Sequence, residues 1–185
     1  MDTYLAGAYW GPRKETVWEC AERTSAFFKK LALLSDDLAH WRLRDRSKKQ
    51  KAGSSIMDPN AMGQITEQIK SGTNRKDMGD KEVIPELGFR LGLWNGKSST
   101  QEMLSLGIQC GAYSGTGMFS NTANISPLLS FDVSNEDTVR KFSEAFIDAW
   151  EPDFFVLTRK SRLNEAAAMA REQRNQWEPF LDYAL

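Results

Sequence analysis

The pattern of hydrophobic and polar positions predicts a strand followed by a long helix at the start of the chain. Residues 4–10 are mostly apolar and end at Gly11-Pro12. Glycine allows a strand to turn sharply, and proline suits the first turn of a helix because its missing N–H has no partner there. Beyond this pair, apolar side chains recur at three- and four-residue steps from Val17 to Leu38. This spacing predicts a helix over 12–34 with one face in the core.

A second helix is predicted after Asp58-Pro59, a pair typical of an N-cap followed by proline at the first helical position. It is expected to stop at the Ser-Gly pair of 71–72. Its apolar positions follow helical spacing: Met62, Ile65 and Ile69.

Alternating apolar and polar residues predict two consecutive strands over 89–94 and 104–110. The short polar link between these strands favours an antiparallel pair. A further strand is predicted over 124–131, where Pro127 indicates an edge position or a bulge because proline cannot donate to a ladder.

The last part of the chain predicts a helix, a short strand and another helix. Ser134-x-x-Asp137 resembles a capping box, and Pro152 ends the helix that follows it. A strand over 154–157 and an alanine-rich helix over 161–176 come next. Because the central strands follow one another without intervening helices, the pattern favours an α+β fold with a largely antiparallel sheet of four to five strands covered by about four helices.

Length and composition favour one folded domain over 1–185, with 41% hydrophobic residues and six tryptophans. A net charge of −1 excludes bulk attraction to nucleic acid or anionic lipid. No stretch approaches the ~20 apolar residues of a membrane span, and the N-terminus has no signal-peptide pattern, so we expect a cytoplasmic protein without a membrane partner. Cys20 and Cys110 fall on predicted apolar faces and are interpreted as small buried hydrophobic residues.

The sequence carries no recognisable catalytic motif and predicts neither a cofactor nor a metal. His40 is the single histidine, and its surroundings have no spacing typical of a catalytic triad or a metal site. Gly111 to Gly117 is glycine-rich but lacks the lysine of a phosphate-binding loop, which favours a hairpin loop. A small carboxylate-dependent hydrolase stays open as an alternative, because acidic residues are plentiful.

Two charged segments could meet a partner. Arg42 to Lys51 carries six basic residues and one acidic residue, which leaves a nucleic-acid-binding module as a second alternative, although a solvated loop is favoured because no aromatics are interleaved. Residues 130–155 carry seven acidic and two basic residues. This segment is either a solvated helix face or a surface for a basic partner. The candidate contacts are Asp132, Glu136, Asp137, Glu144 and Asp148.

Four blocks stand out in this order along the chain: Ala8 to Arg13, Trp41, Leu91 to Gly96 and Ala149 to Asp153. Together they resemble the immunity protein 52 family of bacterial polymorphic toxin systems. The resemblance implies a non-enzymatic antitoxin that binds and neutralises a cognate toxin, commonly one with a restriction-endonuclease-like nuclease domain.

Such toxins are delivered between competing bacteria, including by type VI secretion. The resemblance carries over no catalytic residue, and it implies that Trp10, Trp94 and Trp150 have structural roles. Inhibition of a nuclease requires occlusion of its basic substrate groove or interference with its assembly, and an acidic surface suits the first of these.

Overall fold

A seven-stranded sheet with the order β2-β3-β4-β5-β1-β6-β7 is the centre of the fold. The structure is a computed structural model and describes residues 3–43, 56–99, 102–115, 119–128, 132–172 and 180–181. The strands are β1 Tyr4–Trp10, β2 Arg42–Leu43, β3 Phe89–Trp94, β4 Ser105–Cys110, β5 Asn121–Leu128, β6 Phe154–Arg159 and β7 Phe180–Leu181. Neighbouring strands are antiparallel except for β7, which runs parallel to β6. The predicted α+β class and antiparallel sheet are confirmed.

The helices divide unequally between the two faces of the sheet. They are α1 Val17–Ala32, α2 Asp36–Ala39, α3 Met62–Ser71, α4 Glu136–Trp150 and α5 Leu163–Glu172. Helices α1, α3 and α4 cover one face, called here the inner face, while α5 packs beside β6 on the opposite, outer face. The main hydrophobic core therefore lies between the inner face and the first, third and fourth helices.

The core of the inner layer is built on aromatic side chains. Phe27 of α1 meets Phe146 of α4 with ring centroids 4.6 Å apart, and Trp10 stacks on Trp150 at 5.2 Å. Large rings dominate core energetics because each buries a large apolar area. On β1, small side chains at Ala6 and Ala8 lie fully buried in this core, which lets the helices approach the sheet closely.

Helix α1 begins at Val17, so the prediction of a helix from residue 12 was wrong. Thr16 and Glu19 form a capping box: the Thr16 hydroxyl accepts from the Glu19 amide at 3.2 Å, and the Glu19 carboxylate accepts from the Thr16 amide at 2.7 Å. This box satisfies two helix-terminal N–H groups and fixes the start of the helix. Residues 12–15 consequently form an irregular connection rather than a first helical turn.

The starts of α3 and α4 also differ from the prediction. Asp58 accepts a hydrogen bond from the Asn60 amide at 2.8 Å and forms a local turn, while α3 begins only at Met62. Asn135 is the N-cap of α4, since its side chain accepts from the Thr138 amide at 3.0 Å. In both places a short polar side chain turns the backbone locally, as Asp and Asn commonly do.

Pro127 lies in a central strand, so the prediction of an edge position was wrong and that of a bulge is confirmed. Strand β5 lies between β4 and β1. Its register against β1 shifts between Tyr4↔Leu128 and Ala6↔Ile125, which places one extra residue on β5. The bulge accommodates a residue that cannot donate to the ladder. Residues 129–131 of this predicted strand and 173–176 of the predicted last helix lie outside the described part of the chain.

We expect Thr16→Ala to lower the free energy of unfolding by about 1 kcal/mol, because it removes the capping hydroxyl of α1. Urea denaturation followed by circular dichroism measures this change. Thr66→Ala is the matched control, since the Thr66 hydroxyl only donates to the Met62 carbonyl within α3. A loss in the control as large as in Thr16→Ala would contradict this role of the capping box.

Candidate functional site

The structure brings the predicted acidic contacts together along the exposed face of α4. Glu136, Asp137, Glu144 and Asp148 are exposed and recur at spacings that share one helix face, and Asp132 precedes the helix at its N-terminal end. The opposite face of α4 is buried and is formed by Val139, Phe142, Phe146 and Trp150. We call the exposed side of α4, together with Asp132, the α4 face.

Basic side chains neutralise part of the α4 face. Arg140 bridges Asp137 at 2.5 Å and Glu144 at 2.8 Å, and Lys141 also contacts Asp137, at 2.6 Å. Hydrogen bonds from Lys141 and Arg140 hold the pKa of Asp137 below its ordinary value. These partners reduce the net negative charge of the middle of the helix.

The N-terminal end of the α4 face keeps more of its acidity than the C-terminal end. Asp148 pairs with Lys30 of α1, but within the described residues no cation pairs with Glu136 or with Asp132. The Ser134 hydroxyl and amide donate to Asp132 at 2.6 and 3.0 Å, and these hydrogen bonds lower the pKa of its carboxyl. Asp132 is therefore a fixed negative charge beside Glu136 at the start of α4.

Two of the four sequence blocks meet at the C-terminal end of α4. The Gly11 amide donates to the Asp153 carboxylate at 2.7 Å, and Arg13 donates to the Trp150 carbonyl at 2.8 Å. The guanidinium of Arg13 also lies over the Trp10 ring, 5.1 Å from its centroid. The matched tryptophans Trp10 and Trp150 thus serve the packing of the fold.

A buried carboxylate, Glu15, lies at the centre of this junction. Its side chain is 6% exposed, and one of its oxygens lies 3.1 Å from Nε of Arg13 and 2.7 Å from Nε of Arg23. Arg23 also donates to the Ala149 carbonyl at 2.9 Å and to Glu151 at 2.8 Å. We call Arg13, Glu15 and Arg23 the arginine cluster. The two arginines of the cluster donate to backbone carbonyls in the last turn of α4, which have no hydrogen-bond donor within the helix.

Two asparagines, Asn121 and Asn95, hold loops in place through hydrogen bonds to backbone groups. Asn121 donates to the carbonyls of Gly11 at 2.7 Å and Ala112 at 3.0 Å, and accepts from the Ala112 amide at 2.8 Å. Asn95 donates to the Glu102 carbonyl and accepts from the Leu104 amide, which holds the β3–β4 connection. Asn95 lies in the polar link that the sequence predicted between these two strands, whereas nothing in the sequence singled out Asn121, Glu15 or Arg23.

The remaining candidate groups do not form a reactive site within the described residues. His40 is exposed at the end of α2. Cys20 and Cys110 are free and buried, as predicted, and a hydrogen bond between their thiols together with burial raises the pKa of Cys110. No group of three histidine, cysteine or carboxylate side chains is placed to hold a metal ion in the ranges that the structure describes.

The basic run contributes little to the described surface. Arg42 lies in β2, while residues 44–51 of the run lie outside the described part of the chain, as do residues 116–118 at the end of the glycine-rich segment. In the part of the chain that the structure describes, no helix is long and apolar enough to cross a bilayer.

Comparison with known families gives a match that covers nearly the whole chain. A family model described as Immunity protein 52 matches residues 2–184. All four sequence blocks, and the arginine cluster at their junction, fall within this match. No curated protein sequence matches the chain.

We expect Glu15→Gln to lower the free energy of unfolding by about 2 kcal/mol, because two guanidinium groups lose their shared carboxylate. The loss falls below that of a fully buried pair, since Arg13 and Arg23 are 27% and 26% exposed. Urea denaturation measures the change. Glu22→Gln, on the exposed side of α1, is the control and should stay within about 0.5 kcal/mol of the wild type. Equal effects of the two substitutions would refute the role of the cluster.

The ion pair between Arg23 and Glu151 predicts an acid-sensitive contribution to stability. The hydrogen bond from Arg23 lowers the pKa of Glu151 from its ordinary value of 4.5. A group with a lowered folded-state pKa stabilises the fold above its unfolded pKa and loses this effect as pH falls through the folded pKa. The Tm difference between wild type and Glu151→Gln should therefore be constant at neutral pH and shrink below about pH 4.5.

The control for this prediction uses the Arg23→Gln background. There, Glu151→Gln should change Tm by an amount that no longer depends on pH, because its partner is gone. Thermal melts at a series of pH values measure both differences. A pH-independent difference in the wild-type background would contradict the pairing.

Proposed function

The chain belongs to the immunity protein 52 family, and we propose that this immunity protein binds and neutralises its cognate toxin without catalysing a reaction. One observation carries this proposal: two of the four blocks that carry the family likeness hold the fold together. Trp10, Arg13 and Trp150 are occupied by stacking, carbonyl contacts and ion pairs. Their chemistry serves the shape of the protein, which suits an inhibitor that acts by surface complementarity.

The partner proposed here is a toxin with a restriction-endonuclease-like nuclease domain. A nuclease must present a basic groove to bind a phosphate backbone, and an exposed acidic surface attracts such a groove and speeds association. The α4 face meets this requirement, with Asp132 and Glu136 as the acidic groups that lack a cation partner within the described residues. We propose that the α4 face occludes the substrate groove.

The internal ion pairs of the α4 face are compatible with this role. Asp137, Arg140 and Glu144 have side chains that are 57%, 58% and 48% exposed. Ion pairs at such exposure contribute about 0–1 kcal/mol, because water and salt screen them. A basic toxin surface can therefore replace Arg140 as the partner of these carboxylates at small energetic cost.

The proposed place of action is the bacterial cytoplasm, since a nuclease toxin has its substrates there. In this proposal the toxin arrives from a competing cell, for example through type VI secretion, and the immunity protein meets it before nucleic acid is cut. Co-expression with the toxin encoded beside this gene tests the proposal directly. Wild-type protein should restore growth and bind the purified toxin, and failure of both would end the proposal.

We expect the double variant Glu136→Gln/Glu144→Gln to weaken toxin binding at least tenfold at low salt, because it removes two negative charges from the α4 face. The affinity of the variant should also depend less steeply on salt concentration than that of the wild type. Isothermal titration calorimetry at several salt concentrations measures both effects.

Glu67→Gln provides the matched control. Glu67 is an exposed carboxylate on α3 that lies near Lys70, so the substitution removes a similar charge from another helix. The affinity of this control variant for the toxin should equal that of the wild type. An unchanged affinity in the double variant, or an equal loss in the control, would show that the α4 face is not the contact surface.

A further inference from the structure

The outer face of the sheet contains a row of four paired positions, three of which are glycine. The register pairs Gly92 of β3 with Gly107 of β4, Gly107 with Asn124 of β5, and Asn124 with Gly7 of β1. The row therefore crosses four adjacent strands. Helix α5 packs against Phe154 and Val156 of β6, and Phe119 packs on Tyr9 and Phe154. Within the described residues, Arg90 and Gly92 of β3 are exposed on this face, while its positions on β4 and β5 are half-buried.

Neighbouring side chains form walls on both sides of this row. One wall consists of Arg90, Gln109 and Thr122, and the other of Trp94, Ser105 and Ser126. Corresponding wall positions lie four residues apart on a strand, which is about 13 Å at the usual rise per residue. We call this depression the trough. Because the wall side chains take up part of this width, the trough accommodates one extended segment of another protein.

The fold gives a reason for two of the three glycines but none for Gly92. A Cβ at Gly7 would lie 2.7 Å from the Tyr9 ring, which covers that end of the row, and a Cβ at Gly107 would lie 3.2 Å from the Asn124 side chain. A Cβ at Gly92 would meet nothing within 4 Å. Glycine inside a strand lowers stability, and it often marks the close approach of a ligand or another backbone.

A cavity of about 530 Å³ continues the trough beside β1. Its lining includes Leu5, Tyr9, Asn124, Pro127 and Lys160, so Asn124 belongs to both the trough and the cavity. The apolar side chains within this lining can receive an apolar group from a partner, while Lys160 adds a positive charge at its edge.

The charge of this surface is opposite to that of the α4 face. Arg90 stands in the wall of the trough, and Arg42 pairs with Trp94 at its edge. In the described ranges, no carboxylate lines the trough or the cavity, and no carboxylate forms an ion pair with Arg42 or Arg90. The surface therefore complements a partner segment that carries carboxylate groups.

We propose that the trough and its cavity form a second contact surface for the toxin, which receives an acidic segment outside the nuclease groove. This inference rests on the proposed function, since it names how the same toxin is held. The opposite charges of the two surfaces imply that different parts of the toxin meet them. The trough fixes the orientation of the toxin through Arg90 and through close backbone contact at Gly92.

The test fills the trough without disturbing the fold. Gly92→Tyr places a ring where a Cβ has open space, and tyrosine favours strands, so Tm should be unchanged or raised. Affinity for the purified toxin should fall at least tenfold by calorimetry. Gly63→Tyr is the matched control, because Gly63 of α3 is exposed and equally open, and its affinity should equal that of the wild type.

A second variant tests the charge of the trough. Arg90→Glu should weaken toxin binding at least tenfold, and Arg90→Lys should restore most of it. Unchanged affinity in both Gly92→Tyr and Arg90→Glu would overturn the proposal. Light scattering of the immunity protein alone adds one more outcome: if Gly92→Tyr changes only its oligomeric state, the trough joins copies of this chain and the proposal is wrong.

The experiment separates this inference from the proposed function. If the wild-type protein does not bind or neutralise the toxin, the proposed function fails. If the wild type binds and the Glu136→Gln/Glu144→Gln variant is weakened while both trough variants keep full affinity, the proposed function stands and the trough proposal alone is refuted.

Discussion

The arginine cluster is the constraint on which the arrangement of the inner layer depends. Glu15 loses almost all contact with water, and a buried carboxylate is tolerated only when cations and donors compensate its lost hydration. Arg13 and Arg23 supply the cations, both at the same oxygen of Glu15, and both also donate to carbonyls at the end of α4. The connection before α1 and the end of α4 are therefore held by one set of charges, and the Trp10–Trp150 stack packs beside them.

This junction determines how α4 is presented to a partner. The buried stripe of the helix fixes its rotation, and the arginine cluster fixes its C-terminal end. Asn135 caps the other end. A binding surface gains affinity when its groups need no ordering on association, because the entropic cost has been met during folding. The irregular connection over 12–15, which replaces the predicted first turn of α1, is what brings Arg13 to the end of α4 and Glu15 to Arg23.

The sequence predicted the features that arise from burial on one side of an element. Strand β1 follows from its apolar run. Strands β3 and β4 and the apolar stripes of α1 and α4 follow from periodicity, and so does the shared face of the acidic residues of α4. The starts of α1, α3 and α4 were missed because a cap depends on which side chain reaches which amide. Glu15, Arg23 and Asn121 were missed because their roles rest on contacts distant in sequence: Arg23 with Ala149, Asn121 with Gly11.

An open outer face is by itself an ordinary feature, because antiparallel sheets often expose one face to water. A solvated face normally carries threonine, which favours strands, or lysine and glutamate, whose charged groups stay in water without disturbing the packing. This sheet instead has Gly92 where a side chain would meet no neighbour, next to an exposed Arg90. The fold derives no benefit from that glycine. The proposed contact with the toxin accounts for it, because a glycine lets another backbone approach the strand closely.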